Sequence, residues 1–213
     1  YAIGVKEVYD VPSRSGQAGT IMHTFGYPHD NRTYGGGFVY CMSDTRVAVG
    51  LVTALDYRNP TLNPHEQFRI YKMHAAVKGF IAGGKVVGYG AKVLPEGGFH
   101  SAPRLVTEGA IIVGDGAGLL DSLRLKGVHL AIGSGIAAGD ALFSCWKKGD
   151  FSAGALEEYP RRFMDTAGWK QMKRVKNVRA AFGFGALPGM MAAGRSIATC
   201  GLLPPGRIGI HKD

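Results

Sequence analysis

The hydrophobic pattern of this chain changes from strand-like to helix-like along its length, and that order limits the folds it can adopt. Apolar and polar residues alternate in Tyr1–Asp10, which is typical of a strand with one wet face. Further strands are predicted at 37–42, 46–55 and 85–94, the first two joined by a connection of hairpin length. From Gly127 onward the spacing is helical. The order indicates an α+β or α/β fold.

A helix start signal lies between these strands. Asn63 can act as the N-cap, Pro64 suits the first turn, and Glu66 occupies the position from which a capping-box acid reaches back. The predicted helix runs from Pro64 to about Phe80 and ends before Gly83-Gly84.

Composition limits the partners and ligands. The chain has 25 Lys and Arg against 16 Asp and Glu, a formal charge of +9, which favours an anionic partner. The three cysteines, Cys41, Cys145 and Cys200, lack metal-site and redox-motif spacing, so the sequence predicts no metal ligands in this chain. Because the sequence begins inside a strand pattern without an initiator Met, we expect it to belong to a longer protein.

A short apolar run at 110–113 ends in a glycine-rich turn, and this unit is the best local candidate for a ligand site. A run too short to alternate predicts a buried strand of an α/β sheet, and such sheets bind ligands at the carboxyl ends of their strands. The Asp115 carboxylate, in the turn, can accept hydrogen bonds from a ribose or ribityl diol. A plain strand connection explains the segment equally well, and no G-x-G-x-x-G dinucleotide fingerprint is present.

Three segments with helical or apolar patterns follow. Residues 127–146 and 153–179 are predicted to be helical, the second being rich in Lys and Arg. Residues 180–203 are apolar, but Arg195 and Pro188 make them a poor membrane-spanning candidate. Two readings of this segment remain open: an amphipathic helix in a membrane interface, and a helical hairpin buried against the sheet.

A series of motifs follows an order and spacing found in one protein family. The motifs are His23-Thr-Phe-Gly26, Thr33-Tyr-Gly-Gly-Gly-Phe38, Leu55-Asp-Tyr-Arg-Asn-Pro60, Leu62-Asn-Pro-His-Glu-Gln-Phe-Arg69, Gly83-Gly-Lys85, Tyr89-Gly-Ala-Lys92 and Glu96-Gly-Gly-Phe-His-Ser-Ala-Pro103. With them the chain resembles the electron-transfer flavoprotein:ubiquinone oxidoreductases. A later block, 114–135, is similar to the family's second FAD-binding segment, and the resemblance runs from Tyr1 to about Arg179.

The resemblance implies a membrane-associated flavoprotein that takes electrons from reduced electron-transfer flavoprotein and passes them through FAD and a 4Fe-4S cluster to ubiquinone. It implies part of a glutathione-reductase-like FAD domain, a β-rich quinone-binding domain and C-terminal helices. The expected domains are residues 1–105 for quinone, 106–179 for the C-terminal part of the FAD domain, and 180–213 as an apolar membrane-associated tail. The expected location is the bacterial cytoplasmic membrane or the mitochondrial inner membrane. The N-terminal FAD fingerprint and the cluster cysteines are absent from this sequence.

The resemblance also implies roles for single residues. Gly35 and Gly36 match the family's stretch at the quinone site. The expected FAD-binding residues are Gly114, Asp115, Gly116, Ala117, Gly118, Lys126, Gly127 and His129. No catalytic side chain is expected, because the cofactor carries the redox chemistry. The sequence departs from the family at Asp115, where a cysteine or another small residue is common, and at Val128 and Leu130, where two hydroxyl donors near the flavin are missing.

A second interpretation is a non-catalytic basic module that binds a membrane or nucleic acid, which the net charge of +9 permits. It leaves the ordered motifs unexplained. The sequence has no recognised nucleic-acid motif and no interleaved aromatic platform, so nucleic acid is not an expected partner.

Overall fold

The computed structural model describes residues 1–13 and 15–208, which form two compact units divided between Leu94 and Pro95. The first unit is a five-stranded antiparallel sheet with two helices. Its strands are β1 (Ala2–Asp10), β2 (Ile21–Phe25), β3 (Gly35–Ser43), β4 (Arg46–Ala54) and β5 (Lys85–Leu94), in the order β2-β3-β4-β1-β5, with helices α1 (Pro64–Met73) and α2 (Ala75–Ile81). The four strands predicted from alternation and turn spacing are confirmed.

The sequence did not predict β2, and its exposure explains why. Ile21 and Phe25 are exposed, and among the described residues β2 pairs only with β3. The large apolar residues of β2 therefore do not mark a buried face of the strand. The central strand β4 is buried along almost all its length, with Val47, Val49 and Leu51 in the core.

The predicted single helix from Pro64 to Phe80 is wrong, because the chain breaks at His74. Its ring Nδ1 accepts from the backbone N–H of Ala76, 3.2 Å away, and starts α2. Tyr71 and Val77 are both fully buried, whereas in a continuous helix they would point about 120° apart around the axis. The break lets both side chains reach the same core.

The first turn of α1 confirms the predicted N-cap but not the capping box. The Asn63 side-chain oxygen accepts from the backbone N–H groups of His65 and Glu66 at 3.0 and 3.4 Å. The Glu66 carboxylate instead accepts from Arg69, 2.9 Å away.

The second unit is mostly helical. Its elements are β6 (Val106–Thr107), β7 (Ala110–Ile111), α3 (Val128–Lys148), α4 (Ala153–Leu156), α5 (Glu158–Met164), α6 (Ala167–Arg174), α7 (Val178–Phe182) and α8 (Ala186–Ala198). The core packs Leu119 and Leu130 against Tyr159, Phe163 and Met172. The helical region predicted at 153–179 is thus several short helices.

The prediction of a buried α/β strand at 110–113 is wrong. Ala110–Ile111 pairs antiparallel with Val106–Thr107 in a two-stranded sheet, and the strand ends there. Ile112 and Val113 are 42% and 40% exposed. Within the described residues this run pairs with a single two-residue strand, and Ile111 alone of its four residues is partly buried, packed against the core of the second unit, so the run is not covered on both faces.

Helix α3 confirms the prediction at 127–146 and has two different faces. Ala137, Ala141 and Cys145 are buried, whereas Ile136 and Trp146 are about two-thirds exposed. In the described part of the chain α3 is the one helix whose length and apolar composition would suffice to cross a membrane, with a third of its most apolar window buried. A core helix of a soluble protein satisfies the same criterion.

The segment at 180–203 contains the end of α7 and all of α8. Pro188 does not interrupt α8 but lies in its first turn, where a missing N–H breaks no helical hydrogen bond. Gly189, Ala192 and Ser196 are buried on one face of α8. On the opposite side the large apolar residues Leu187, Met190, Met191 and Ile197 are half or more exposed. A fully buried hairpin is therefore not what the structure shows.

Candidate functional site

The glycine run at the start of β3 has little free space, because groups of the first unit occupy the positions of the missing side chains. A Cβ at Gly35 would collide with the Val52 carbonyl oxygen and would lie 2.7 Å from the His29 ring Cε1. A Cβ at Gly37 would overlap the Tyr71 ring. These two glycines therefore accommodate an imidazole and a phenol of this chain.

Gly36 points the other way and is half-buried. A Cβ there would collide with the Thr24 carbonyl oxygen on β2, so close pairing of β2 and β3 itself requires glycine at this position. Of the two predicted quinone-binding residues, Gly36 is thus the more open one, since Gly35 is buried.

His29 lies in the loop between β2 and β3 and is 7% exposed. Its Nε2 lies 2.9 Å from the Thr53 hydroxyl oxygen and shares a hydrogen bond with it. Burial lowers the pKa of His29, and the nearby Asp30 carboxylate opposes that shift without cancelling it. The Asp30 carboxylate accepts from the backbone N–H groups of Arg32 and Thr33 at 3.1 and 2.7 Å, which fixes the loop. His29 is consequently neutral at pH 7.

A second polar contact joins the His23-Thr-Phe-Gly26 motif to α1. The Thr24 hydroxyl donates to the Tyr71 hydroxyl oxygen at 3.0 Å and accepts from the Gly37 backbone N–H at 3.2 Å. Burial raises the pKa of Tyr71, and the Thr24 hydrogen bond acts in the opposite direction. The motif thus fixes both β2 and the aromatic ring that covers Gly37.

A cavity of the first unit lies away from these glycines. It measures about 470 Å³, lies along α1 and α2, and is lined by Tyr9, Met73 and Ile81 among others. None of the three glycines of β3 lines it.

The predicted FAD segment is a tight turn in the second unit. Gly114–Ala117 forms a single 3₁₀ turn, and Gly114 and Gly118 have left-handed φ angles of 61° and 67° that favour glycine. The Gly114 backbone N–H donates to the Ser134 hydroxyl on α3 at 2.9 Å, so it is already used. Gly114, Ala117 and Gly118 are buried, whereas Asp115 and Gly116 are exposed.

The loop that leads into α3 is built on Asp121, whose structural role the sequence did not reveal. This carboxylate is fully buried. It accepts from the Leu123 and Arg124 backbone N–H groups, the Arg124 guanidinium and the Gln171 amide, each at 3.0 Å. The Asp121 backbone N–H donates to the Lys126 carbonyl at 3.1 Å, which closes the loop. The signal that would have indicated this role is an Asp in a loop, because such a side chain commonly accepts hydrogen bonds from the backbone N–H groups two and three residues later.

The structure brings the two predicted FAD segments together at the start of α3. A Cβ on Gly114 would touch Ala131 at 3.4 Å, and one on Gly127 would lie 3.1 Å from the Leu119 carbonyl oxygen. Lys126 and His129 are exposed beside them. Of the three departures from the family, Leu130 is buried in the core, whereas Asp115 and Val128 are exposed and change the open surface.

Comparison with known proteins shows what this chain is similar to. Residues 1–94 match the family model for the ubiquinone-binding region of ETF-QO. The chain is 43% identical over 190 residues to the mitochondrial electron transfer flavoprotein-ubiquinone oxidoreductase of Arabidopsis thaliana, and 35% identical over 185 residues to that of Homo sapiens. Over most of its length the chain is thus similar to electron transfer flavoprotein-ubiquinone oxidoreductases. These matches cover 89% and 84% of this chain but only 29% and 30% of the relatives.

Solved structures of similar fold are distant in sequence from this chain. A geranylgeranyl bacteriochlorophyll reductase-like protein from Thermoplasma acidophilum matches with a TM-score of 0.61 at 14% identity, covering 99% of this chain and 49% of that one. A flavin-dependent brominase matches with a TM-score of 0.58 at 15% identity, covering 93% of this chain and 48% of that one. These likenesses confirm a mixed α+β fold.

Proposed function

We propose that this chain forms the ubiquinone-contacting part, and a portion of the flavin-contacting part, of an oxidoreductase that passes electrons from reduced electron-transfer flavoprotein through FAD to ubiquinone. The match of residues 1–94 to the ubiquinone-binding family model carries this proposal. Since the chain spans about three tenths of its relatives' length, polypeptide outside this sequence would supply the remaining steps.

The quinone head group is assigned to the end of β3 at Gly35 and Gly36. The Gly36 backbone is half-buried and carries no side chain, and we assign the ring to the part of it that the Thr24 carbonyl oxygen leaves open. The geometry favours Gly36 as the contact surface, since Gly35 is covered by His29.

FAD is assigned to the turn and loop beside the start of α3. The exposed Asp115 carboxylate is placed to accept hydrogen bonds from ribityl hydroxyls, and Gly116 has room for a ligand because a Cβ there would touch only Ile112, at 3.8 Å. Lys126 adds positive charge near the ring, and Gly127 and His129 border it. Gly114, Ala117 and Gly118 hold the turn in shape. FAD, when bound, supplies the electron transfer itself.

The second unit would be the C-terminal part of a glutathione-reductase-like FAD domain, over residues 106–179, while residues 1–105 would be the quinone domain. The exposed apolar faces of α3 and of the 110–113 run support this assignment. Val128, Ile132 and Ile136 lie at successive four-residue steps along α3 and are each more than half exposed, as on a surface that packs against further polypeptide.

The 4Fe-4S cluster that the resemblance implies does not fit these residues. The sequence has three cysteines, of which Cys41 and Cys145 are buried in the hydrophobic cores of their units and Cys200 is exposed. No step of the proposal uses a cluster held by this chain.

The segment from residue 180 is assigned to a membrane surface. The row of Leu187, Met190, Met191 and Ile197 gives α8 an apolar face, and the exposed Arg195 brings positive charge nearby. Ubiquinone is confined to the bilayer, so an enzyme that reduces it needs such a surface. A mitochondrial inner membrane or a bacterial cytoplasmic membrane meets this condition.

The proposed function is tested in the complete polypeptide that contains this segment. We expect it to reduce a short-tail ubiquinone when supplied with reduced electron-transfer flavoprotein, with no turnover when either is omitted. Quinone reduction that does not depend on electron-transfer flavoprotein, or no reduction at all, would contradict the proposal.

The flavin assignment has a separate test in the same polypeptide. D115A is expected to lower the FAD content of the purified protein, because it removes the exposed carboxylate that is assigned to the ribityl hydroxyls. D165A is the matched control, since the Asp165 side chain is 88% exposed and lies on the loop after α5. Equal FAD content in D115A and D165A would remove the assigned role.

A further inference from the structure

His29 occupies the bare side of Gly35, the first residue of the proposed quinone site. Gly35 and Thr53 are register partners at the start of the β3–β4 ladder. The imidazole bonds to the Thr53 hydroxyl through Nε2 at 2.9 Å, while Cε1 and Nδ1 lie 2.7 and 2.9 Å from the position that a Gly35 Cβ would occupy. The ring therefore fills the gap between the two strands at the point where the glycines begin.

The loop that holds His29 is itself fixed. The His29 backbone N–H donates to the Gly26 carbonyl at 2.9 Å, and Asp30 accepts from two backbone N–H groups of the residues that follow. The ring cannot swing away from Gly35 without breaking this turn and the bond to Thr53.

We propose that His29 is a positioning residue for the quinone, and that its neutral ring, wedged against Gly35 and tied to Thr53, holds the Gly35–Gly36 backbone in the shape that receives the head group. The inference rests on the proposed function of this strand end.

The unpaired Nδ1 of His29 explains why only the neutral ring fits. This atom is buried and has no hydrogen-bond partner among the described residues. A protonated ring would place an N–H donor and a positive charge at that position with no acceptor, so the ring would have to move toward water. Because Gly35 touches the ring, movement of the ring displaces the glycine backbone, and acid weakens quinone binding.

The charged groups around His29 do not compensate for the free-energy cost of protonating its buried ring. Asp30, on the same loop, is the one charged group in the described chain that raises the His29 pKa, and the shift caused by burial exceeds its effect. The groups that His29 meets on β3 and β4 are Gly35, the Val52 carbonyl and the Thr53 hydroxyl, none of which titrates.

The test measures the Kd of a water-soluble, single-isoprene ubiquinone for the full chain by calorimetry between pH 5 and pH 8. For the wild type we expect Kd to rise once the pH falls below the pKa of the buried His29 ring, which lies under the ordinary imidazole value of about 6.5. H29L fills the same space without ionising, so it should bind within about threefold of the wild type at pH 8 and lose the pH dependence. H29A opens the space and is expected to weaken binding about tenfold at pH 8. T53V removes the hydroxyl that bonds to the His29 Nε2, so it should weaken quinone binding without removing the pH dependence.

The outcomes separate this inference from the proposed function. Unchanged quinone affinity in H29A, or the same pH dependence in H29L as in the wild type, would overturn the role of His29 while leaving the quinone site in place. If H29A does not fold, H29L and T53V still decide between these results. A wild-type chain that binds no quinone at any pH would refute the quinone assignment itself and the His29 role with it.

Discussion

Removing the Asp121 carboxylate should destabilise the second unit, because four donors converge on it at 3.0 Å. In D121N one oxygen still serves the two backbone N–H groups, and the new NH2 faces the Arg124 and Gln171 donors. The Arg124 side chain is 48% exposed, so that ion pair contributes at most about 1 kcal/mol. Leaving the partly buried Gln171 donor without a partner costs about 1–3 kcal/mol. The expected loss for D121N is therefore about 2 kcal/mol.

D121A removes the acceptor of both backbone N–H groups as well. Because the Leu123 and Arg124 amides are only partly buried, water recovers some of their hydrogen bonding, and we expect a total loss of about 4 kcal/mol. Both tryptophans of the chain, Trp146 and Trp169, lie in the second unit, so their fluorescence during urea unfolding reports on that unit. D165N, at an exposed site, is the matched control. Stability of D121A within 1 kcal/mol of wild type would refute the role of Asp121 as the anchor of this loop.

Three further predictions concern the first unit and the tail. G37A should destabilise the first unit by about 2 kcal/mol or more in circular-dichroism melts, because the added Cβ overlaps the Tyr71 ring. The control G90A should not destabilise it, because no atom lies within 4 Å of the added Cβ. Equal melting temperatures of the two variants would refute this prediction. The free energy of unfolding should fall as the pH drops below about 6.5, by up to about 1.4 kcal/mol per pH unit, because unfolded His29 binds a proton that the buried ring resists. A slope as steep in H29L would contradict that assignment. Replacing the four exposed apolar residues of α8 by serine should reduce flotation with anionic liposomes, and unchanged flotation would exclude α8 as the contact.

The strands of the first unit were predictable because their pattern and their turns agree. Alternation in β1 and the short connection between β3 and β4 are local signals, and both elements formed where those signals placed them. Edge strand β2 was not predictable in this way, since its large apolar residues Ile21 and Phe25 face solvent. The break at His74 depends on where Tyr71 and Val77 meet the core, which is a tertiary property that no local pattern contains.

In the candidate site, too, local features were predictable from the sequence and tertiary contacts were not. The sequence placed both glycine segments and the loop with Lys126, and the structure brings the 114–118 turn and Gly127 together at the start of α3. The sequence could not show that His29 covers Gly35. A glycine in a sequence is compatible both with a bound ligand and with contact from another side chain of the same protein. The apolar run at 110–113 predicted a buried strand, and that prediction was wrong. Burial of a strand depends on its neighbouring strands, and the described residues supply only Val106–Thr107 as a neighbour.

The central claim is that a quinone ring meets the backbone at the start of β3. The most direct measurement is a titration of the glycine-¹⁵N-labelled chain with single-isoprene ubiquinone, followed by NMR, with every assigned glycine amide acting as a probe. The account predicts that the Gly35 and Gly36 signals shift most and saturate together, while Gly90 on β5 stays in place. Saturable shifts centred on other glycines, with Gly35 and Gly36 unmoved, would contradict it.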